Sequence, residues 1–123
     1  MPIPTEPIGS IPRPPELIDG MQQLASRRIS ARTMRSLYER AIRDTIQRFE
    51  ATGSPVITDG EQSKPSFATY PIHGLETLAP GGVTIPFADG HVRQLPLLTA
   101  GPFRYRTYAD TFLEEAKKHA RVQ

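Results

Sequence analysis

From Ala31 to Thr52 apolar residues return at steps of three and four, and this run constrains the chain more than any other feature. Met34, Leu37, Ala41, Thr45 and Phe49 share one side, with Tyr38, Ile42 and Ile46 beside them. That spacing predicts one long amphipathic helix with a broad face to bury. Ser30 stands where an N-cap belongs, and Gly53 where a helix is closed. Arg40 with Asp44, Glu39 with Arg43, and Asp44 with Arg48 are i,i+4 neighbours that support its outer side.

The segments flanking this helix suggest what covers it. Thr5 to Ile11 is a short apolar-leaning stretch, closed by Pro12-Arg13-Pro14-Pro15, with a strand expected at Ile8 to Ile11 or shorter. Pro7 restricts any strand there to an edge or first position. Pro14 and Pro15 suit a helix's first turn, and Glu16 to Leu24 continues it, with Gly20 as a weak point. After Gly53, Pro55-Val56-Ile57-Thr58 is β-branched and ends at Asp59-Gly60. Strand, helix, strand in this order predicts a buried parallel pair joined by a right-handed crossover.

The second half is less regular. Ser63 to Gly81 is broken by Pro65, Pro71, Gly74, Pro80 and Gly81, and reads mostly as loop. Val83-Thr84-Ile85 and Val92 to Leu98 flank Ala88-Asp89-Gly90, a hairpin signal, although Pro86 and Pro96 weaken both strands. Tyr108 to Arg121 reads as a last helix, with Glu114 paired to Lys118 and His119 exposed. A further strand would be expected where Val122-Gln123 ends the sequence. There is no internal repeat and no low-complexity segment.

Composition removes several classes of function. The chain has 123 residues, enough for one ordinary domain, but only 37% are hydrophobic and 13 are proline, so any core is small. There is no cysteine, which excludes disulfides, thiolate nucleophiles and thiolate metal ligands. A net charge of +2 does not argue for nucleic acid. Arg27, Arg28, Arg32 and Arg35 cluster locally; they form a solvated face or a phosphate or polyglutamate contact. No apolar run approaches the length of a membrane helix, and Met1 to Pro7 lacks the basic and apolar regions of a signal peptide. The cytoplasm is the expected compartment.

Two segments can carry chemistry. In Ile8-Gly9-Ser10-Ile11-Pro12-Arg13-Pro14, Gly9 permits close approach of a ligand to the backbone and Ser10 offers a hydroxyl. The alternative is an ordinary strand end running into a proline-rich turn. In Val56-Ile57-Thr58-Asp59-Gly60-Glu61-Gln62, a carboxylate stands just past a strand end, where parallel α/β folds gather ligands. It suits an ammonium group or a base, and Asp59 and Glu61 are a possible pair. Alternatively, Asp59 caps a turn and Glu61 is solvated. The histidines, His73, His91 and His119, form no metal-ligand spacing, and neither a nucleophile elbow nor a phosphate-cradling loop is present.

Taken together, Glu6-Pro7-Ile8-Gly9-Ser10-Ile11-Pro12-Arg13-Pro14 and Ile57-Thr58-Asp59-Gly60-Glu61-Gln62 resemble the cobalamin-independent methionine synthase family. The order, strand and turn, long helix, then Asp-Gly-Glu, is similar too. Asp89-Gly90-His91-Val92-Arg93 is more loosely similar to a later stretch of that family. The resemblance runs from about Thr5 to the last helix. It implies an α/β fold that is a partial (β/α)8 TIM barrel: the first βα units, a β-hairpin and a C-terminal helix, residues 1–123 forming a single partial domain.

The reaction implied is transfer of a methyl group from methyl-tetrahydrofolate to the sulfur of homocysteine. Zinc would hold the thiolate, and no cobalamin would take part. By the resemblance, Ile8, Gly9 and Ser10 hold the amino-acid part of homocysteine, and Glu61 binds its ammonium group. His91 and Val92 fall where the family contacts folate. The family's zinc ligands are histidine, cysteines and a glutamate from later in the barrel, so zinc is not expected to bind this chain alone, and the chain is expected to be inactive alone. Ile11 stands where the family often has an aromatic residue, which points to a divergent branch.

Origins as a fragment, a truncated product or one piece of a split protein remain open. So do two other functions: a small non-catalytic amino-acid-binding module, and a self-associating module whose exposed edges pair with themselves or with the rest of a barrel.

Overall fold

The computed structural model describes residue 3 and residues 5–121; Val122-Gln123, where a further strand was expected to begin, and three of the first four residues lie outside them. The described chain is mixed α/β, with three helices and two small antiparallel strand pairs. Its contacts divide it into two compact units. One holds residues 1–64 and 112–123, the other Pro65–Thr111.

In the first unit, helix α1 spans Pro15–Ala25 and helix α2 spans Ala31–Ala51. Pro15 opens α1 in the first turn, where its missing N–H costs no hydrogen bond. Ser30 caps α2 as expected: its hydroxyl accepts the Thr33 amide at 3.1 Å, a bond that contributes about 1 kcal/mol. At the other end Thr52 returns its hydroxyl to the Phe49 carbonyl at 2.6 Å, and Gly53 takes the left-handed φ of +72° that ends the helix. Arg48 and Asp44 make the exposed ion pair at 3.0 Å that their spacing predicts.

The two helices pack through Leu17, Met34 and Ala41, with Met21, Ile29, Leu37 and Tyr38 partly buried around them. Ile42, Thr45 and Ile46 extend the buried face of α2. Gly20, the weak point expected in α1, lies in this contact. A Cβ there would overlap the end of the Leu37 side chain, which would have to shift, and would touch the Met34 sulfur at an ordinary contact distance.

The flanking segments correct the expectation of a parallel strand pair. Neither Ile8–Ile11 nor Pro55–Thr58 is a strand, so the crossover between strands is not formed either. Ile8 is fully exposed and Val56 is 48% exposed, so neither stretch has the two covered faces of a buried parallel strand. Pro7, Pro12 and Pro55 also remove ladder donors. The segments still meet: the Ile11 amide donates to the Gly60 carbonyl at 3.1 Å. Helix α3, Ala109–Lys117, is shorter than expected, and the pairs on it are Lys117 with Glu114 and Lys118 with Glu115. His119 lies beyond its end and is mostly covered, its side chain 19% exposed, in contrast to the exposed position expected. The Arg121 amide donates to a carboxylate oxygen of Glu50 at 2.5 Å, tying the residues after α3 to α2.

In the second unit, β2 (Thr84–Pro86) and β3 (Val92–Gln94) form the expected hairpin, in the register Thr84 with Gln94 and Pro86 with Val92. The turn closes through the Phe87 amide on the His91 carbonyl, with Gly90 at φ +87°. Outside it, β1 (Leu78–Ala79) pairs with β4 (Leu97–Leu98), a partner strand that the loop reading of Ser63–Gly81 missed. The amides of Leu95 and Thr99 add bonds to the Val83 and Thr77 carbonyls, so one ribbon runs from Thr77 and Thr99 to the hairpin tip. Pro80, Pro86 and Pro96 interrupt its ladder, which is why it forms two short pairs and not one long one. Among the described residues of this unit none is fully buried.

Candidate functional site

The residues singled out in the two motifs converge, although no strand carries them. The loop after Ile57 is built around Gly60, at φ +65°. A Cβ at Gly60 would meet Ile11 and Thr45, so glycine is required both for conformation and for close approach. Glu61 follows at φ +55°, a left-handed conformation that costs a residue with a Cβ about 1–2 kcal/mol. Such a residue persists only where its surroundings over-determine it.

The surroundings of Glu61 are specific. Asp59, itself buried, accepts the Glu61 amide on its carboxylate at 2.9 Å, so Asp59 caps the turn. The Lys64 amide donates to the Glu61 carbonyl at 3.2 Å. Across from the loop, Arg13 donates from Nε to the Gln62 carbonyl at 2.9 Å. Its Nη2 reaches the Lys64 carbonyl at 2.5 Å and the Glu61 carbonyl at 3.4 Å. One guanidinium therefore grips three carbonyls, which its planar fork of donors can do and an ammonium cannot. Gln62 is fully buried and donates to the Ile11 carbonyl at 3.3 Å; its Oε1 has no hydrogen-bond partner.

The Glu61 carboxylate is held at both oxygens. The Ser10 hydroxyl donates to Oε2, a contact spanning 51 residues of sequence. Lys64 Nζ stands 3.3 Å from Oε1, and both side chains of this ion pair are about four-fifths covered, at 18% and 20% exposure. The Phe112 ring lies 5.5 Å below the same ammonium. Partial burial keeps water from screening the pair as it would on an open surface. The half-buried Tyr38 phenol has its pKa raised by burial, and the Arg13 charge offsets part of that rise.

Ser10 and Glu61 therefore come together, and Gly9, at φ +127°, stands between Ser10 and the exposed Ile8, which does not join them. His91 and Val92 belong to the hairpin of the other unit, and both are exposed. His91 stacks on Phe87, with ring centroids 4.3 Å apart, and its Nδ1 lies 2.5 Å from the Asp89 carboxylate. Hydrogen bonds from the His91 backbone and then its ring hold the Asp89 pKa below the usual carboxylate value. These contacts make a well-formed turn tip.

Arg13 and Lys64 complete the arrangement around Glu61, and sequence reasoning gave neither a role. The visible signal was Lys64 three residues after Glu61, and an arginine fixed between two prolines. A cleft of about 660 Å³ lies between Ile46, Ile57 and Thr58 and the α3 residues Leu113, Ala116 and Lys117. It is not lined by Ser10 or Glu61. Among the described residues no group of three or more histidine, cysteine, aspartate or glutamate side chains could hold a metal ion. No helix among them is long and apolar enough to cross a membrane. No protein-family model matches the chain, and no curated protein matches it.

Proposed function

We propose that Ser10 and Glu61 form an amino-acid-binding half-site of the kind found in cobalamin-independent methionine synthases, on a chain representing the first part of such a (β/α)8 barrel. The observation that carries this reading is the Ser10–Glu61 contact. Two motifs 51 residues apart, chosen for their resemblance to that family, meet through a hydroxyl and a carboxylate. The carboxylate is partly covered and rigidly presented, which suits capture of an α-ammonium group. In this reading the ligand is homocysteine, the methyl donor is methyl-tetrahydrofolate approaching the region of His91 and Val92, and the compartment is the cytoplasm.

The zinc of that family does not fit the residues present. With no cysteine, the chain supplies none of the thiolate ligands that hold it. In that family zinc stabilises a thiolate for attack, and no step through zinc is assigned to this chain. What the residues of this chain do is bind and orient: Glu61 takes the ammonium, Ser10 fixes the carboxylate rotamer, and Arg13 holds the loop.

Glu61→Gln keeps the shape of the side chain and removes its charge. Affinity for homocysteine and methionine, measured by titration calorimetry, is expected to fall by about 10- to 100-fold, the range for a lost charged hydrogen bond. Unchanged affinity removes Glu61 from the site.

A second reading, self-association, is favoured by the large apolar side chains left open in the second unit. Phe67, Val83 and Val92 are 60% or more exposed, in a unit with no fully buried residue. Sedimentation velocity discriminates: a stable dimer without amino-acid affinity supports it, and a monomer at all concentrations rules it out.

A further inference from the structure

From the geometry around Glu61 we infer that Lys64 is the carboxylate-recognising residue of the site: an α-amino acid opens the Glu61–Lys64 ion pair and bridges it, ammonium to Glu61 and carboxylate to Lys64. This inference rests on the amino-acid reading of Ser10 and Glu61 and adds the residue that selects the other end of the ligand.

Four observations lead to it. Glu61 and Lys64 form an ion pair at 3.3 Å, so the loop presents a negative and a positive group side by side. An α-amino acid carries the complementary two charges on one carbon, so its insertion exchanges one ion pair for two. Second, the pair is mostly covered, which makes charge complementarity count for more than it would in open water. Third, Arg13 is committed elsewhere: its Nε and Nη2 already serve the carbonyls of residues 61, 62 and 64. Lys64 is left as the cation adjoining Glu61. Fourth, the ammonium rests over the Phe112 ring at 5.5 Å, so it has a favourable place to remain when the carboxylate of Glu61 turns to a ligand. Ser10, on the opposite carboxylate oxygen, leaves the Oε1 side as the side where exchange occurs.

A ligand with the ammonium but no carboxylate gains only half of this arrangement. It must compete with Lys64 for Glu61 and offers Lys64 nothing in return. Discrimination between an amino acid and its amide therefore reads Lys64 directly, while a general loosening of the loop weakens both ligands alike.

The test is titration calorimetry of the full 123-residue chain with L-methionine and with L-methionine amide, at about pH 6, where both carry an ammonium group. The wild-type chain is expected to bind methionine about tenfold more tightly than the amide. Lys64→Met is expected to abolish that preference, by weakening methionine and leaving the amide unchanged or tighter; Lys64→Arg is expected to keep it. Denaturation curves of both variants establish that they fold, and Lys64→Gln replaces Lys64→Met if the latter does not. A preference that survives in the folded Lys64→Met or Lys64→Gln chain overturns the assignment of Lys64 and leaves the amino-acid reading standing. Equal weakening of both ligands also overturns it, and assigns Lys64 a structural part only. Failure of the wild-type chain to bind either ligand overturns the amino-acid reading itself, and the assignment of Lys64 falls with it.

Discussion

Replacing Leu17 with alanine is expected to cost the chain about 3 kcal/mol and to release α1 from α2. Leu17 is 1% exposed and is the apolar residue of α1 buried in the cluster with Met34 and Ala41. The cavity left cannot collapse easily, because Gly20, one turn on, already brings the helix backbone against Leu37 and Met34. Nor does α1 have stability of its own: it has 11 residues, too few for an isolated helix to persist in water. Only five hydrophobic residues among those described are buried, so one of them is a large share of the core. For a domain of ordinary stability, a loss of this size removes a large fraction of the total. Urea denaturation followed by circular dichroism measures it. Ile18→Ala, next in the same helix but 46% exposed, serves as the comparison and is expected to cost well under half as much. Equal losses at the two positions would show that α1 is not docked through the Leu17 face.

The periodic part of the chain was legible residue by residue. Ser30, the apolar positions of α2 and Gly53 each do what their place in the pattern implies, because a 21-residue helix integrates many weak preferences in one direction. The hairpin was legible for a different reason: Asp89-Gly90 allows few backbone paths, and Gly90 takes one of them. The strands expected at Ile8–Ile11 and Pro55–Thr58 were not formed because β structure depends on neighbours, and short apolar runs do not say whether neighbours will be present. β1 was missed on the same ground. It has two residues and is defined only by Leu97 and Leu98 opposite, which lie far along the chain. At the site, the two ends of the Ser10–Glu61 contact were visible as motifs, whereas the clamp was not. Arg13 acts on backbone carbonyls, and carbonyls leave no mark in a sequence.

Arg13→Lys keeps the charge and is expected nonetheless to undo the site. The guanidinium joins three carbonyls of the 61–64 loop from a single plane, at 2.5 to 3.4 Å. A lysine ammonium in the same turn can satisfy one of them well and cannot span the set. Hydrogen bonds to a charged donor are each worth about 1.5–3 kcal/mol, so losing even one leaves the loop about 2 kcal/mol easier to open. That is comparable to the cost of holding Glu61 left-handed at φ +55°, so the Asp59 bond to the Glu61 amide is left to offset it once the clamp is weakened. Glu61 then relaxes, and its carboxylate no longer meets the Ser10 hydroxyl. Native-state hydrogen exchange reads this without any ligand: the Lys64 amide, which donates to Glu61, should lose protection by about thirtyfold. Amides in the middle of α2 should keep theirs, since their hydrogen-bond partners are carbonyls of the same helix. Methionine affinity should fall by at least tenfold in parallel. Full protection at Lys64 in the lysine variant would mean that Asp59 and Gly60 hold the turn unaided. Lost protection with intact affinity would mean that the loop geometry is not what presents Glu61 to its ligand.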